Sequence, residues 1–555
     1  MPTGYSWLDT KIKNTSLLIQ YKNRPPLSLA GLRRRVKRER QLLEDLLRSE
    51  GFYASRINMI QNRGSYGGQA ISVKVETGPV FVNRNYAIVY DKALSNGEKS
   101  RQLTQARNTF VTSKRAQSST ILVTEQKLLL DLANNGFPFA KTTNRTVTVD
   151  HANTSVSVKL NLTLGPRSTY GSTIFSGVQS VDSDFLLSTM GLRKGAAYSQ
   201  SQLDEAKKKL LNTGLFTNVK ISKPKTISDY GVVPLMVEVR ERPKHQVRLS
   251  AGASIKNGPE ASIEWRHRNL FGKAQNLTVK LEGDKNKAKA TTNFEWPNYL
   301  REDQVLSAGL SAEYDDTNNL DTTNLSANVT IGRWYDKKRT FASIGPKVEY
   351  IKQTGTSDLW LASLPVNVDF NRTDSLLNPG KGFRIFAEII PFLNLEDDNQ
   401  SFLSAEAGIS TYTHLAEDNK LTLATWTKAG AILGDDLADI PVSKRFFLGG
   451  SGSIRAYPEK GISAAGFSGA LAKLEGGIEF RTRFNAKFGA VAFVEGGKVF
   501  DSLNTSLKGN WRAGAGLGFR YFSSFGPVRV DFAVPVSEPA DIDDVQIQVG
   551  LGQAF

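Results

Sequence analysis

From residue 244 to residue 555 the chain alternates apolar and polar side chains in segment after segment, and few folds accept that pattern at such length. Val247, Leu249, Ala251, Ala253 and Ile255 take one face, with Gln246, Arg248, Ser250 and Ser254 on the other. Ala261, Ile263 and Trp265 answer them across the turn-rich residues 256–260. Near the end, Trp511, Ala513, Ala515, Leu517, Phe519 and Tyr521 alternate with Arg512, Gly514, Gly516, Gly518 and Arg520. Val528, Val530, Phe532 and Val534 then alternate with Arg529, Asp531, Ala533 and Pro535. A period of two is the period of a strand, so this part of the chain is all-β. A soluble sandwich alternates too, but small and charged residues on the polar face suit a wet lumen, and aromatics at strand ends suit a girdle. At roughly 20 residues per strand and connection the segment predicts about 16 strands, an even number as bacterial barrels have. Closure removes the strand edges that would otherwise aggregate. No run of 18 apolar residues occurs, so a helical span is not expected.

Residues before 243 repeat one plan at a period of roughly 80 residues. In the first unit a helical pattern from Leu32 to Ser49 stops at Gly51-Phe52-Tyr53, and a strand from Ile71 to Glu76 closes on Gly78-Pro79. In the second, a helix from Glu125 to Ala133 stops at Gly136-Phe137-Pro138, and Val147 to Val149 and Val156 to Leu164 lead to Gly165-Pro166. In the third, a helix starting at Tyr198 runs through Leu211 to Gly214-Leu215-Phe216, and Leu235 to Val239 closes before Pro243. Each unit is an amphipathic helix with a glycine at its C-terminal cap, followed by two alternating strands. The expected organisation is α+β modules over 1–77, 78–164 and 165–242, then a 16-stranded transmembrane β-barrel over 243–555. The modules either offer strand edges to an extended guest or act as spacers.

Zero cysteines exclude disulfides and thiolate chemistry. The formal charge of +17 invites nucleic-acid or anionic-membrane partners. The basic run Arg33-Arg34-Arg35-Val36-Lys37-Arg38 reads better as the solvated face of a helix, because Leu32, Val36, Leu43 and Leu47 form an apolar stripe beside it. The start Met1-Pro2-Thr3-Gly4 shows no basic and apolar leader, so a secretory signal is expected to be removed or missing.

The stretch Gly191-Leu192-Arg193-Lys194-Gly195-Ala196-Ala197-Tyr198-Ser199, continued by Gly214-Leu215-Phe216-Thr217-Asn218-Val219, resembles the last POTRA module before the barrel in outer-membrane assembly and transport proteins. Three modules rather than one, two or five resemble the TamA family, the barrel subunits of translocation and assembly modules. Asn269-Leu270-Phe271-Gly272-Lys273 and Asn378-Pro379-Gly380-Lys381-Gly382, inside Asp374 to Phe383, are similar to the family's barrel signatures. Ser453-Ile454-Arg455-Ala456-Tyr457 resembles the tip of the family's long lid loop, which folds back into the lumen; Ala456 stands where the family has glycine. Gly449, Gly450 and Gly452 would be its hinge. A guanidinium inside a lumen needs a carboxylate. Glu479 and Glu495, at polar-face positions of the next two strands, are the expected partners of Arg455, with two carboxylates merely facing channel water as the alternative.

In the last strand Val545, Ile547, Val549 and Leu551 alternate with Gln546, Gln548 and Gly550, and Phe555 resembles the aromatic terminus by which such barrels are recognised. In the family the first and last strands meet at a weak seam. Gly550 and Gly552 would loosen the pairing there. An opened seam presents backbone groups that a nascent client strand could satisfy.

The resemblance therefore implies an outer-membrane insertion or assembly factor for clients such as autotransporters. Its modules would face the periplasm, with a periplasm-spanning TamB-like partner and the lipid bilayer as its surroundings and no nucleic acid. A two-partner secretion pore exporting an unfolded polypeptide is the alternative, and a passive porin is a more distant one. His151, His245, His267 and His414 are scattered, with no metal-ligand spacing, and no phosphate-cradling or nucleophile motif occurs. No enzyme activity, metal or cofactor is expected.

Overall fold

The computed structural model describes residues 3–24, 26, 28–63, 69–224, 231–254, 258–316, 321–336, 338–354, 358–396, 401–416, 420–434, 436–437, 439–464, 468–504, 507–524, 526–537 and 545–555. Ile255, Lys256 and Asn257, read above as strand end and turn, lie outside the described residues, as do the side chains of Ala253 and Ser254. The chain divides into two units, Met1–Arg242 and Pro243–Phe555.

The N-terminal unit holds three modules. In the second, strand Val82–Tyr90 and helices Asn96–Thr109 and Ser118–Asn134 precede strands Lys141–Asp150 and Ser155–Thr163. The third repeats this order with Thr169–Ser176, Ser183–Met190, Gln200–Asn212, Phe216–Ser222 and Val232–Glu241. In both, the last strand lies in the middle, parallel to the first and antiparallel to its predecessor. The predicted helix and two strands of each are present, and a leading strand and helix are added. The third module's added helix Ser183–Met190 buries Phe185, Leu186 and Met190 but spans only eight residues, too few to show a period; the second's, Asn96–Thr109, is largely polar, with only Gln102 and Ala106 buried, so no apolar stripe marks it. Its start is instead fixed by a capping box between Ser95 and Glu98.

The first module differs. Helices Ser6–Thr15, Leu17–Gln20 and Leu29–Ser49 precede a sheet of only two strands, Arg56–Arg63 and Gln69–Glu76. Its core joins Leu8, Leu43, Leu47, Phe52 and Ile57, so the Leu43 and Leu47 end of the apolar stripe on the long basic helix faces inward, while Leu32 and Val36 are half-buried outside that core. The expected cap glycines Gly51, Gly136 and Gly214 all have positive φ, between 73° and 93°. That left-handed conformation ends a helix at little cost only without a Cβ.

The C-terminal unit is a closed antiparallel barrel of eighteen strand segments. Thr340–Ile344 and Lys347–Gln353 both pair with Thr322–Tyr335, so they are one strand interrupted at Gly345-Pro346. Leu359–Ser363 and Val366–Asn371 likewise both pair with Gly382–Asn394 across Leu364-Pro365. Counting each interrupted strand once leaves sixteen. Proline lacks the ladder donor, which accounts for both interruptions. The outer face carries Leu249 at 73% exposure, Leu517 at 68% and Val549 at 68%, whereas the inward Gly514, Gly518, Arg520, Arg529 and Asp531 are buried. Apolar side chains exposed in such a band belong against lipid, not water. Among the described residues no helix is long and apolar enough to cross a membrane.

Candidate functional site

Between strands Leu421–Leu433 and Ala472–Arg483 the chain makes a long loop that folds on itself through single bridges, Phe446 to Ala470 and Leu448 to Ile462. Gly449 and Gly450 turn it, with φ of 104° and 98°. Gly452 has no positive φ, and a Cβ there would meet nothing within 4 Å, so the expected three-glycine hinge reduces to two. Gly452 contributes its carbonyl, which accepts a hydrogen bond from Lys428 Nζ at 2.6 Å. Leu448, Ile454 and Ile462 form a small apolar body that stiffens the tip.

That body delivers Arg455, which is fully buried. Its Nε donates to Glu495 Oε1 at 2.8 Å, Nη2 to Glu479 Oε2 at 2.8 Å, and Nη1 to Asp531 Oδ2 at 2.9 Å. The backbone N–H of Arg455 donates to Glu495 Oε2 at 2.8 Å, and the guanidinium lies 3.4 Å from the Phe493 ring centroid. Burial disfavours the charge, and the three carboxylates around the guanidinium offset that cost. Glu479 also accepts from Arg481 Nε at 2.6 Å, while Asp531 pairs with Arg520 and, at 3.5 Å, Arg529.

The two expected partners are therefore joined by a third that sequence reasoning missed. Asp531 was placed on the polar face of its strand, but Gly526–Pro535 is not a neighbour of Ala472–Arg483 or Phe488–Phe500 in the sheet, so alternation gave no sign that they converge.

Ala456 has no positive φ and is buried against Val491, Phe493 and Ala533. The strand Arg512–Ser523 makes room for it: a Cβ on Gly514 would come within 2.2 Å of Ala456 Cβ. The same row continues with Gly516, where a Cβ would strike Phe493, and Gly518, where it would strike Asp531. Gly514 thus makes room for the loop tip, and Gly516 and Gly518 make room for the Phe493 ring and the Asp531 carboxylate that Arg455 meets. Tyr457 closes the tip, its hydroxyl 3.1 Å from Ser537 Oγ and donating to Ala513 O at 3.4 Å. At the loop's base Lys444 Nζ donates to both carboxylate oxygens of Glu349 at 2.8 Å, a second anchor that the sequence reading did not contain.

The closing strand is short. Gln546–Leu551 spans six residues, and its barrel neighbours are Gly526–Pro535 and the ten-residue first strand His245–Ser254. Among the described residues the closing strand is thus four residues shorter than the first. Val545 immediately precedes this strand, while Ile547, Val549 and Leu551 point outward, exposed. A Cβ on Gly550 would come within 2.8 Å of Arg529 Nε, so this glycine accommodates an inward arginine.

Gly552 and Phe555, expected within the terminal strand, are outside it. Gly552 takes φ of 88° and turns the chain off the strand. Gln553 N–H then donates to Leu377 O at 3.0 Å and Gln553 Nε2 to Asn378 Oδ1 at 2.8 Å. Phe555 comes to rest 5.8 Å from the Trp426 ring, with the Arg481 guanidinium 5.0 Å from its own ring centroid. Burial of its ring among aromatic and cationic groups wins over two more ladder positions.

The histidines read as scattered are partly paired, since His245 faces His267 across the first hairpin with ring centroids 4.7 Å apart. Among the described residues no group of three or more His, Asp or Glu side chains could hold a metal ion.

A sixteen-stranded barrel that receives its own loop on a buried arginine, preceded in sequence by α+β modules, defines a modular transmembrane β-barrel protein. The chain belongs to the Omp85 superfamily: residues 269–555 match the Omp85 superfamily domain, and residues 168–242 match the POTRA family described as a surface antigen variable number repeat. It is an outer-membrane protein with periplasmic POTRA modules. It is 26% identical over 471 residues to the outer membrane protein assembly factor BamA of Nitratidesulfovibrio vulgaris, covering 78% of this chain and 57% of that protein. With BamA of Neorickettsia risticii it shares 22% identity, over 94% of this chain and 73% of the relative. With the chloroplastic outer envelope protein 80 of Arabidopsis thaliana it shares 26%, over 63% and 51%. The chain thus spans little more than half of the first and third of these relatives. The crystal structure of Haemophilus ducreyi BamA lacking POTRA domains 1–3 shares the fold, with a TM-score of 0.70 at 17% identity over 84% of this chain and 98% of that one.

Proposed function

We propose that the protein promotes the insertion of client outer-membrane proteins, autotransporters among them, at the junction of its last and first barrel strands. The observation that carries this reading is the mismatch between a six-residue closing strand and a ten-residue first strand. Backbone groups left without partners in a bilayer cost several kcal/mol each, and an incoming client strand would satisfy them. No covalent step is required, so the protein is no enzyme. Two relatives carry the name of assembly factors, which agrees with this role.

The finer reading is a TamA-type subunit working with a TamB-like periplasm-spanning partner. It rests on the resemblance of residues 191–219 and of the loop tip at 453–457. The tip would act as an internal strut, since Arg455 ties the loop to three of the last five strands through Glu479, Glu495 and Asp531. Replacing Arg455 by alanine tests this role. Client assembly into proteoliposomes is expected to fall while the purified barrel stays folded; wild-type assembly rates in that variant would remove the loop from the mechanism.

A further inference from the structure

Inside the barrel three carboxylates meet four guanidinium groups, those of Arg455, Arg481, Arg520 and Arg529. Arg455 is held by Glu495, through its backbone N–H and its Nε, and by Glu479. Arg481 is held by Glu479 as well, and its two terminal nitrogens donate to Pro379 O at 3.2 Å and Phe555 O at 3.4 Å. That leaves Asp531, already shared with Arg455, as the one carboxylate that Arg520 and Arg529 reach among the described residues.

These two arginines stand directly opposite each other across strands Arg512–Ser523 and Gly526–Pro535. Like charges facing across a ladder repel. The next position in the same row, on the closing strand, is Gly550, so no side chain there answers them. Neither arginine can turn to solvent, Arg520 being 0% and Arg529 8% exposed. Their donors are not all used. Arg520 Nε donates to Gln553 Oε1 at 2.9 Å, and Nη1 to Phe519 O at 3.1 Å and to Asp531. Arg520 Nη2 is buried and donates to nothing among the described residues, and the same holds for Arg529 Nε. Arg529 meets Asp531 only through Nη1, at 3.5 Å, a long hydrogen bond. A buried donor on a charged group is costly without an acceptor, and two of them on facing arginines call for an acceptor that carries charge.

We propose that a small monovalent anion, of the kind of chloride, binds between Arg520 and Arg529 on the inner wall of the barrel and accepts from Arg520 Nη2 and Arg529 Nε. One negative charge is what this pair lacks once Asp531 is counted, so a multiply charged oxyanion would overcompensate it. The enclosure of both side chains favours a compact ion for the same place. The anion does for Arg520 and Arg529 what Glu479 and Glu495 do for Arg455. It ties two neighbouring strands together beside the closing strand, which makes barrel stability depend on halide. The inference concerns the barrel interior and holds whether or not clients insert at the seam.

The test uses the whole chain purified in detergent. It is crystallised with bromide in place of chloride, and it is melted in sodium chloride and in sodium gluconate at equal ionic strength, so that screening of surface charge is the same in both. An anomalous bromide peak between Arg520 and Arg529 is expected, with a melting temperature that is higher in chloride and rises with its concentration. Two variants assign the effect to the site. Arg529→Gln removes the unmatched charge. Gly550→Asp keeps both arginines and sets a carboxylate beside Arg529, since a Cβ at position 550 lies 2.8 Å from its Nε. Both should lose the chloride dependence, and if Arg529→Gln does not fold, Gly550→Asp decides. An ordered water with no bromide signal at the position would overturn the proposal, as would equal melting in the two salts. A bromide peak with no chloride effect on melting, or a chloride effect that survives in the folded variants, would mark an adventitious ion only and overturn it equally.

Discussion

Arg455 acts through geometry as much as charge. Its three nitrogens reach three carboxylates from three strands, and a fork of that kind fixes position as a lysine cannot. Removing one side of a buried ion network strands the other at about 3–5 kcal/mol. Arg481, Arg520 and Arg529 remain to neutralise part of the cluster in the Arg455→Ala variant, so a lower melting temperature with an intact barrel is expected, read by calorimetry. Gly514 gives a sharper residue-scale test. Gly514→Ala places a methyl 2.2 Å from Ala456 Cβ and should cost about 1–3 kcal/mol as an overpacked contact. Adding Ala456→Gly should restore most of it, and additive losses in the double variant would disprove the contact. The bridge from Arg455 to Glu479 and Glu495 was legible because a strand's period fixes which side chains face inward. Asp531 was equally inward but lies on a strand that pairs with neither, a convergence visible only once the barrel is closed.

At the scale of elements, the first two modules meet at Glu50. It pairs with Lys11 and, at 3.4 Å, Arg115, and accepts from Gln117 Nε2 at 2.8 Å. Burial raises its pKa, but hydrogen bonds from Lys11 and Gln117 and the nearby cations outweigh that, and the group sits below its usual 4.5. A depressed carboxylate stabilises the folded state fully above the unfolded value and loses that contribution as pH falls through the folded one. The junction should therefore loosen below about pH 4.5. Trp7, with the Arg115 guanidinium 4.0 Å from its ring centroid, is a natural reporter. In a chain whose six other tryptophans are phenylalanine, its emission should change over that window and be flat in Glu50→Gln. Gly552 makes a second element-scale prediction. Alanine at φ of 88° costs about 1–2 kcal/mol, so Gly552→Ala should free Gln553 from Leu377 and Asn378, seen as faster amide exchange at residues 553–555. The helices with apolar stripes were legible, as were their cap glycines. The polar helix Asn96–Thr109 and the leading strands were not, because tertiary pairing rather than local pattern makes them.

For the whole molecule, sixteen strands followed from length divided by the span of a tilted strand, since a bilayer sets that span. The two proline interruptions and the inward turn after Leu551 did not follow, being settled by which backbone groups find partners. What the barrel does at its closing strand decides the function. The chain has no cysteine, so a pair introduced at Leu249 and Ile547, with the register scanned to either side, would be the sole disulfide. Client assembly would be measured in proteoliposomes with the pair oxidised and again after reduction. Assembly that stops when the strands are joined and resumes on reduction is the expected result. Assembly that proceeds with first and last strands joined would contradict insertion at the seam and assign the work to the lumen or the modules.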